Sequence, residues 1–160
     1  MSEGPAGGHD SRPEDPALSQ DAPDTAPANG ADTHQLYRRG LDLLGRGSAA
    51  AAAQLLERAA AAEPRSRSVL EALARAQFDA GQYAAAAGNF RRIVDASPSD
   101  NYAQFGLGLA LARTGDPGAA AEHLALAAAM RPNLRHYTDA LRTVRATLRA
   151  RNELKRGFED

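Results

Sequence analysis

Small residues and prolines recur at a fixed interval of 34 residues along most of this chain. Four columns keep this interval over three copies: Gly40, Ala74 and Gly108; Gly47, Gly81 and Gly115; Ala52, Ala86 and Ala120; and Pro64, Pro98 and Pro132. The large residues Leu56, Phe90 and Leu124 repeat in the same step. A period of roughly 20 to 50 residues is typical of repeat architectures, in which each unit buries its apolar face against its neighbours. The chain therefore divides into three units, 33–66, 67–100 and 101–134.

Turn and capping residues predict two helices in each unit. Glycine beside a helix C-terminus supplies the left-handed conformation that ends the helix, and a proline just beyond the second helix prevents its continuation. Serine or aspartate stands where helices are expected to begin and would cap them, at Ser48, Ser66, Asp100 and Asp116. Pro117 follows Asp116 at the first helical position, which tolerates proline. Each unit is thus predicted to be a helix, a tight turn and a second helix.

The composition supports helices and excludes several other classes of structure. Alanine, the strongest helix former, accounts for 37 of the 160 residues, whereas valine and isoleucine together account for four. So few β-branched aliphatic residues argue against a sizeable sheet. The absence of cysteine excludes disulfides, thiolate metal sites and a cysteine nucleophile. The predicted fold class is all-α.

The recurring residues resemble those of the tetratricopeptide repeat (TPR) family. The second unit carries Leu70-x2-Leu73-Ala74, Gly81-x-Tyr83, Ala86-x3-Phe90 and Pro98, and the third carries Leu107-Gly108-x2-Leu111, Gly115, Ala120-x3-Leu124 and Pro132. The chain departs from the family pattern at Arg39, Leu43, Gln77 and Gln104. The resemblance implies a right-handed α–α superhelix of three helix-turn-helix units. The excess of alanine, and of arginine over lysine, suggests a small bacterial protein of this type.

By the same resemblance, the first helices would line a concave groove and the second helices would form the convex back. The groove residues would be Tyr37, Leu41, Leu44, Glu71, Arg75, Phe78, Asp79, Tyr102, Phe105, Leu109 and Arg113. Such a groove suits an extended or helical peptide, held by aromatic anchors and by arginine paired with carboxylates. For Phe78 and Phe105, packing between units is an equal alternative. The Lys and Asn with which some co-chaperone TPR domains grip a C-terminal carboxylate are replaced by Tyr37, Leu41 and Arg75.

The net charge of −1 conceals two regions of opposite charge. Residues 1–32 carry seven acidic residues against one arginine, a net charge of −6, whereas the remainder carries 18 basic and 13 acidic residues, a net charge of +5. The first segment holds five prolines and one large aliphatic residue, Leu18, so it is predicted to be disordered. It lacks the basic start and apolar run of a signal peptide, and no membrane span is predicted. We therefore expect a cytoplasmic location.

One more helix is predicted after the last proline, over 135–152, with 153–160 frayed. Tyr137, Leu141, Val144 and Leu148 would share one face, as in a helix that caps the open end of a solenoid. Another face would carry an arginine ridge within about an 80° arc, formed by Arg135, Arg142, Arg145 and Arg149. A solvated surface is the simpler interpretation of this ridge, and nucleic-acid contact is the alternative. A further hypothesis places the acidic segment 1–32 against the ridge or over the groove.

No catalytic motif accompanies the repeats. The chain contains no HExxH, no Gly-rich phosphate loop and no Gly-x-Ser-x-Gly, and its four histidines are scattered, with a polar surface role expected for His123. We therefore expect no enzyme activity, no cofactor and no metal site. The leading interpretation is a non-catalytic adaptor that binds an unidentified protein or peptide in the groove. The alternatives are a small chaperone that holds an aggregation-prone or secreted client, and a nucleic-acid-associated protein, which the modest +5 disfavours. The oligomeric state stays open.

Overall fold

Seven α-helices follow one another in the part of the chain that the computed structural model describes, which comprises residues 1, 4 and 30–159. Their bounds are α1 Gly30–Gly45, α2 Ala49–Ala62, α3 Arg67–Asp79, α4 Tyr83–Ala96, α5 Asn101–Arg113, α6 Pro117–Met130 and α7 Arg135–Gly157. Each helix packs against the next in the chain, and the odd-numbered helices also contact one another in order. The prediction of an all-α stack of helix pairs with a C-terminal helix is confirmed.

Glycine ends the first helix of each unit in the left-handed conformation, as predicted. The φ angles of Gly47, Gly81 and Gly115 are 80°, 80° and 90°. In the first turn, the Ser48 amide donates to the Leu43 carbonyl at 2.9 Å. The amide of Gly47 itself donates to the Leu44 carbonyl at 3.1 Å. This pair of bonds is the Schellman motif, which satisfies carbonyls that the helix end would otherwise leave unbonded.

Three of the four predicted helix caps are present. Ser66, Asp100 and Asp116 accept a bond from the amide three residues ahead, at 3.4, 3.1 and 3.1 Å. The predicted cap by Ser48 is wrong, because its hydroxyl bonds to no amide of α2. The backbone ψ of Ser48 is 59°, outside the extended region from which a short side chain reaches the helix amides. Asp116 caps at a similar ψ of 73° because its side chain is one atom longer.

Small residues let neighbouring helices approach closely. A Cβ atom on Gly40 would lie 2.6 Å from Cγ of Leu56, and one on Gly108 would lie 2.6 Å from Cγ of Leu124. Other members of the repeat columns are fully buried alanines, at Ala52, Ala74, Ala86 and Ala120. The three recurring prolines, Pro64, Pro98 and Pro132, each stand two residues beyond the end of a second helix. Close helix contact and helix termination thus explain why these columns repeat.

Two buried glutamines occupy positions where the repeat pattern has other residues. Gln77 and Gln104 are only 3% and 2% exposed. The Gln77 Oε1 accepts from Asn89 Nδ2 at 2.7 Å, and the Gln104 Nε2 donates to the Pro98 carbonyl at 2.9 Å. Both amides therefore satisfy their polar groups inside the core. Arg39, one of the two departures in the first unit, is exposed, because no described helix precedes α1 to cover it.

His123 is half-buried, which differs from the surface role expected for it. Its Nδ1 lies 2.7 Å from Oε1 of Gln104. Since the Pro98 carbonyl fixes the orientation of the Gln104 amide, this oxygen can only accept, so Nδ1 carries the hydrogen. Burial lowers the pKa of His123, and the nearby Arg91 lowers it further. Its exposed neighbour Glu122 faces another way, because successive helix residues are about 100° apart.

Both ends of the helical stack differ from the predicted boundaries. Helix α1 begins at Gly30 rather than 33, and Asp32 in its first turn suits the positive helix N-terminus. Helix α7 continues to Gly157 rather than ending at 152, so most of the predicted frayed segment is helical; Lys155 and Arg156 in its last turn suit the negative C-terminus. The prediction of disorder over 1–32 falls mainly on residues outside the described part of the chain.

Candidate functional site

A cleft of about 250 Å³ opens between α3 and α5, and we call it the α3–α5 cleft. Six of the eleven predicted groove residues line it, three from each helix: Arg75, Phe78, Asp79, Tyr102, Phe105 and Leu109. They share one face because residues three, four and seven positions apart project from the same side of a helix. The structure therefore brings these six side chains together, and their role in binding stays a prediction.

The floor of the α3–α5 cleft is apolar and tightly packed. It is formed by Phe90 of α4, which is 2% exposed, and by Gly106 of α5. A Cβ on Gly106 would lie only 2.5 Å from the Phe90 ring, so this contact requires glycine. The Phe90 ring also meets the Tyr102 ring edge to face, with centroids 6.2 Å apart. Neither floor residue was predicted to belong to the site, although an isolated glycine within a predicted helix signals close packing.

Phe78 is both a cleft wall and a packed residue. Its ring meets Tyr83 edge to face at 5.1 Å. The guanidinium of Arg113 lies over both rings, 5.6 Å from the Phe78 centroid and 5.2 Å from that of Tyr83, and donates to Tyr83 Oη at 2.9 Å. Arg113 was predicted to line the groove, but it does not line this cleft because these two rings hold it.

Phe105 connects the cleft to the C-terminal helix. Its ring stacks on Tyr137 at 4.5 Å and meets His136 edge to face at 5.3 Å. Tyr137 is 2% exposed, and its hydroxyl donates to Asn101 Oδ1 at 2.9 Å. Burial raises the pKa of this hydroxyl, so it is a stable donor at neutral pH. Helix α7 therefore supports one wall of the cleft through Phe105, which also packs between helices.

Among the described residues, the rim of the cleft carries two charged side chains without an ionic partner, Arg75 and Asp79. Both side chains are exposed. Glu71, which was also predicted to face the groove, is instead paired with Arg67. Burial raises the pKa of Tyr102, with Arg75 opposing that effect, and the pKa stays above its usual value. The cleft thus presents a guanidinium, a carboxylate and a neutral phenol around an apolar floor.

The predicted groove residues of the first unit do not reach this cleft. Tyr37, Leu41 and Leu44 are half-buried and pack against the hydrophobic core. Tyr37 also lines a separate cleft beside the start of α1, together with Gly30 and Ser66. The site that the structure assembles therefore belongs to the second and third units.

Other features of the described residues bear on the alternative interpretations. The arginine ridge is exposed on α7, where Arg142 pairs with Asp139 at 3.1 Å. Within 30–159, no group of three or more histidine, aspartate or glutamate side chains is arranged to hold a metal ion. The helices in the same range include none with the length and apolar character needed to cross a bilayer.

Comparison with known proteins places these helices in a familiar architecture. The sequence profile of the tetratricopeptide repeat matches residues 37–101 and 71–135, which together cover more than half of the chain. No curated protein matches the chain in sequence. Among solved structures, the "First TPR of Spaghetti (RPAP3) bound to HSP90 peptide SRMEEVD" is similar, with a TM-score of 0.69 and 19% identity over 76% of this chain and 97% of that chain.

Two further solved structures share the fold. The Sgt2 TPR domain from Aspergillus fumigatus has a TM-score of 0.69 and 22% identity, over 80% of this chain and 86% of its own. The type III secretion translocator chaperone SycD of Yersinia enterocolitica has a TM-score of 0.65 and 15% identity, over 74% of this chain and 96% of its own. At these identities the likeness concerns the fold alone.

Proposed function

Because the chain belongs to the tetratricopeptide repeat family, we propose that it is a non-catalytic module that binds a peptide segment of another protein in the α3–α5 cleft. One observation carries the proposal. Six side chains from two separate repeat units converge on an open cleft with a preformed apolar floor. Concave, mostly apolar clefts with a few placed polar groups are the usual form of a ligand site.

The size and chemistry of the cleft indicate what it would hold. A volume of about 250 Å³ suits one or two large side chains rather than a long apolar segment. Phe105 and Leu109 would contact an apolar anchor, which is the kind of residue that contributes most to peptide affinity. Arg75 and Asp79 would pair with oppositely charged side chains on either side of that anchor in the peptide. Arginine can bind a carboxylate through two parallel hydrogen bonds. The expected ligand is therefore an apolar anchor flanked by charged residues.

The proposal is tested by selecting random phage-displayed peptides on the full chain. Peptides that bind the cleft should lose binding to a Leu109→Arg variant, because the guanidinium would fill the space meant for the anchor. The matched control is Leu126→Arg, since Leu126 lies on α6 and is already 51% exposed. Binding of each selected peptide would be measured by fluorescence anisotropy, with circular dichroism confirming that both variants keep their helicity.

Equal binding to the wild type and to Leu109→Arg would place the peptides elsewhere and refute the proposal. Failure to enrich any peptide would also count against it. A third variant, Arg75→Glu, should weaken peptides that carry a carboxylate beside the anchor and leave neutral peptides unchanged. Since Arg75 is exposed and unpaired in the described part of the chain, this change leaves the fold intact.

The chaperone alternative would use the same cleft for a different purpose. A chaperone must cover apolar segments of a client that is not yet folded, and the small cleft volume favours recognition of a short peptide instead. Suppression of client aggregation at a near-equimolar ratio would favour the chaperone.

A further inference from the structure

A second and larger cleft, of about 550 Å³, lies where the turns between units meet the ends of α3 and α4. We call it the arginine cleft, and its lining is Pro64, Arg65, Arg67, Leu70, Arg92, Ile93, Asp95, Ala96 and Ser97. Leu70 and Ile93 are 4% and 3% exposed and provide an apolar floor. None of these residues lines the α3–α5 cleft. The arginine cleft is therefore a separate surface with its own chemistry.

Three guanidinium groups line this cleft against one carboxylate, that of Asp95. Arg67 is already neutralised by Glu71 and by Asp100, whose Oδ2 lies 2.7 Å from Arg67 Nε. Arg92 donates to the Pro64 carbonyl at 2.6 Å, which positions it without neutralising its charge. Arg65 is exposed and has no bonded partner in the described part of the chain. Arg65 and Arg92 therefore retain their charge against the single carboxylate of Asp95, and this excess of positive charge suits an acidic segment that also carries an apolar side chain.

The chain itself enters the helical stack beside this cleft. Gly30, the first residue of α1, lines a neighbouring cleft together with Glu63 and Ser66. Pro64 and Arg65, which begin the arginine cleft, lie between those two residues in the same turn. The segment before residue 30 is therefore attached next to the arginine cleft, whereas the arginine ridge lies on α7, the last helix of the stack.

We propose that residues 14–24 of this chain are the ligand of the arginine cleft. This segment has Leu18 flanked by four carboxylates, those of Glu14, Asp15, Asp21 and Asp24. Leu18 would cover Leu70 and Ile93, and the carboxylates would pair with Arg65 and Arg92. The 12 residues from Leu18 to Gly30 span up to about 40 Å when extended, so they reach the cleft easily. Such tethering gives an effective concentration in the millimolar range, at which even weak contacts are populated.

The proposal is tested by paramagnetic relaxation enhancement, in which a spin label on the segment broadens the NMR signals of nearby amides in the full chain. Because the protein contains no cysteine, a spin label at Ser19→Cys is unique and sits next to Leu18. We expect loss of amide signals at 65–67 and 92–97, and recovery of those signals when Arg65→Ala is added. Arg58→Ala is the matched control, since Arg58 is exposed on α2 and does not line the cleft, and it should leave the loss unchanged. Added salt should restore much of the signal, because at 1 M the screening length is only about 3 Å.

Other patterns of signal loss would overturn the proposal. Loss along 142–149 would place the segment on the arginine ridge, and loss around Phe105 and Leu109 would place it in the α3–α5 cleft. If the label broadened only the amides of its own neighbours in the sequence, the segment would not dock on the helices. The proposal does not rest on peptide binding in the α3–α5 cleft, so either can fail while the other stands.

Discussion

Replacing Gly106 with alanine tests whether the floor of the α3–α5 cleft is as tightly packed as its geometry indicates. The added methyl group would lie 2.5 Å from the Phe90 ring, well inside the optimal carbon–carbon separation of about 3.5–4.0 Å. Phe90 is 2% exposed and its ring also packs edge to face against Tyr102, so a shift of the ring would disturb that contact. Overpacking of this kind costs about 1–3 kcal/mol, while alanine gains about 1 kcal/mol over glycine in helix propensity. We expect a net loss of roughly 1 kcal/mol in the free energy of unfolding.

The chain offers a matched control at Gly88. This residue also lies inside a helix, α4, but a Cβ there would meet nothing within 4 Å. Gly88→Ala should therefore raise the free energy of unfolding by about 0.5–1 kcal/mol, through propensity alone. The same chemical change is thus expected to have opposite signs at two positions. A Gly106→Ala, Phe90→Leu double variant should cost less than the two single changes added together, because the smaller side chain makes room for the methyl group.

Urea unfolding followed by circular dichroism would measure the wild type and four variants, namely Gly106→Ala, Gly88→Ala, Phe90→Leu and the double variant. For a domain of this size, a change of 1 kcal/mol also moves the melting temperature by roughly 3–5 °C, which is easily resolved. The m-value should stay constant, since neither change alters the surface exposed on unfolding. If Gly106→Ala raised the urea midpoint as Gly88→Ala does, the Phe90 ring would have to move freely. The cleft floor would then not be preformed.

Two other contacts give predictions of their own. Burial raises the pKa of Asp100, but the hydrogen bond from Arg67 and that from its own helix lower it more, so the folded-state pKa lies below the usual value. The ionised Asp100 carboxylate therefore stabilises the folded protein above about pH 4, and this contribution is lost as the pH falls below that value. Asp100→Asn should lower the free energy of unfolding by about 1 kcal/mol at pH 7 and should reduce the further loss of stability towards pH 3. An unchanged dependence of stability on pH in the acid range would contradict this. Tyr137→Phe removes the hydrogen bond to Asn101 and should lower the free energy of unfolding by about 1 kcal/mol. It should also speed amide hydrogen exchange in α7, whereas the control Tyr37→Phe should not. Unchanged exchange in Tyr137→Phe would refute a role for that bond in holding α7.

The fold was predictable because the residues that end its helices act locally. A glycine that must adopt positive φ and a proline that must follow a helix act within one turn, so their 34-residue recurrence specifies the helix pairs without knowledge of any distant contact. Capping was less certain, because it depends on ψ and side-chain length together. Ser48 and Asp116 show this, standing at equivalent positions with similar backbones, yet only the longer side chain caps its helix.

The candidate site was predictable only in part, for a physical reason. Helix periodicity places residues on a face, so the six side chains from α3 and α5 were expected together. It does not determine which ring fills which gap. The contact between Phe90 and Gly106 joins two units, and the cation–π contact of Arg113 with Phe78 depends on the orientation of three side chains. Neither follows from spacing alone.

The order of helix contacts has a consequence for how the chain folds and opens. Each helix touches only the one or two that follow or precede it in sequence, so every stabilising contact closes a short loop. Low contact order of this kind is associated with fast folding, and stability becomes a sum of terms between nearest neighbours. Opening can then begin at either end without breaking the middle. Opening that begins at α1 would therefore leave the α3–α5 cleft in place until α3 itself is reached, whereas opening that begins at α7 would first remove the support of its Phe105 wall.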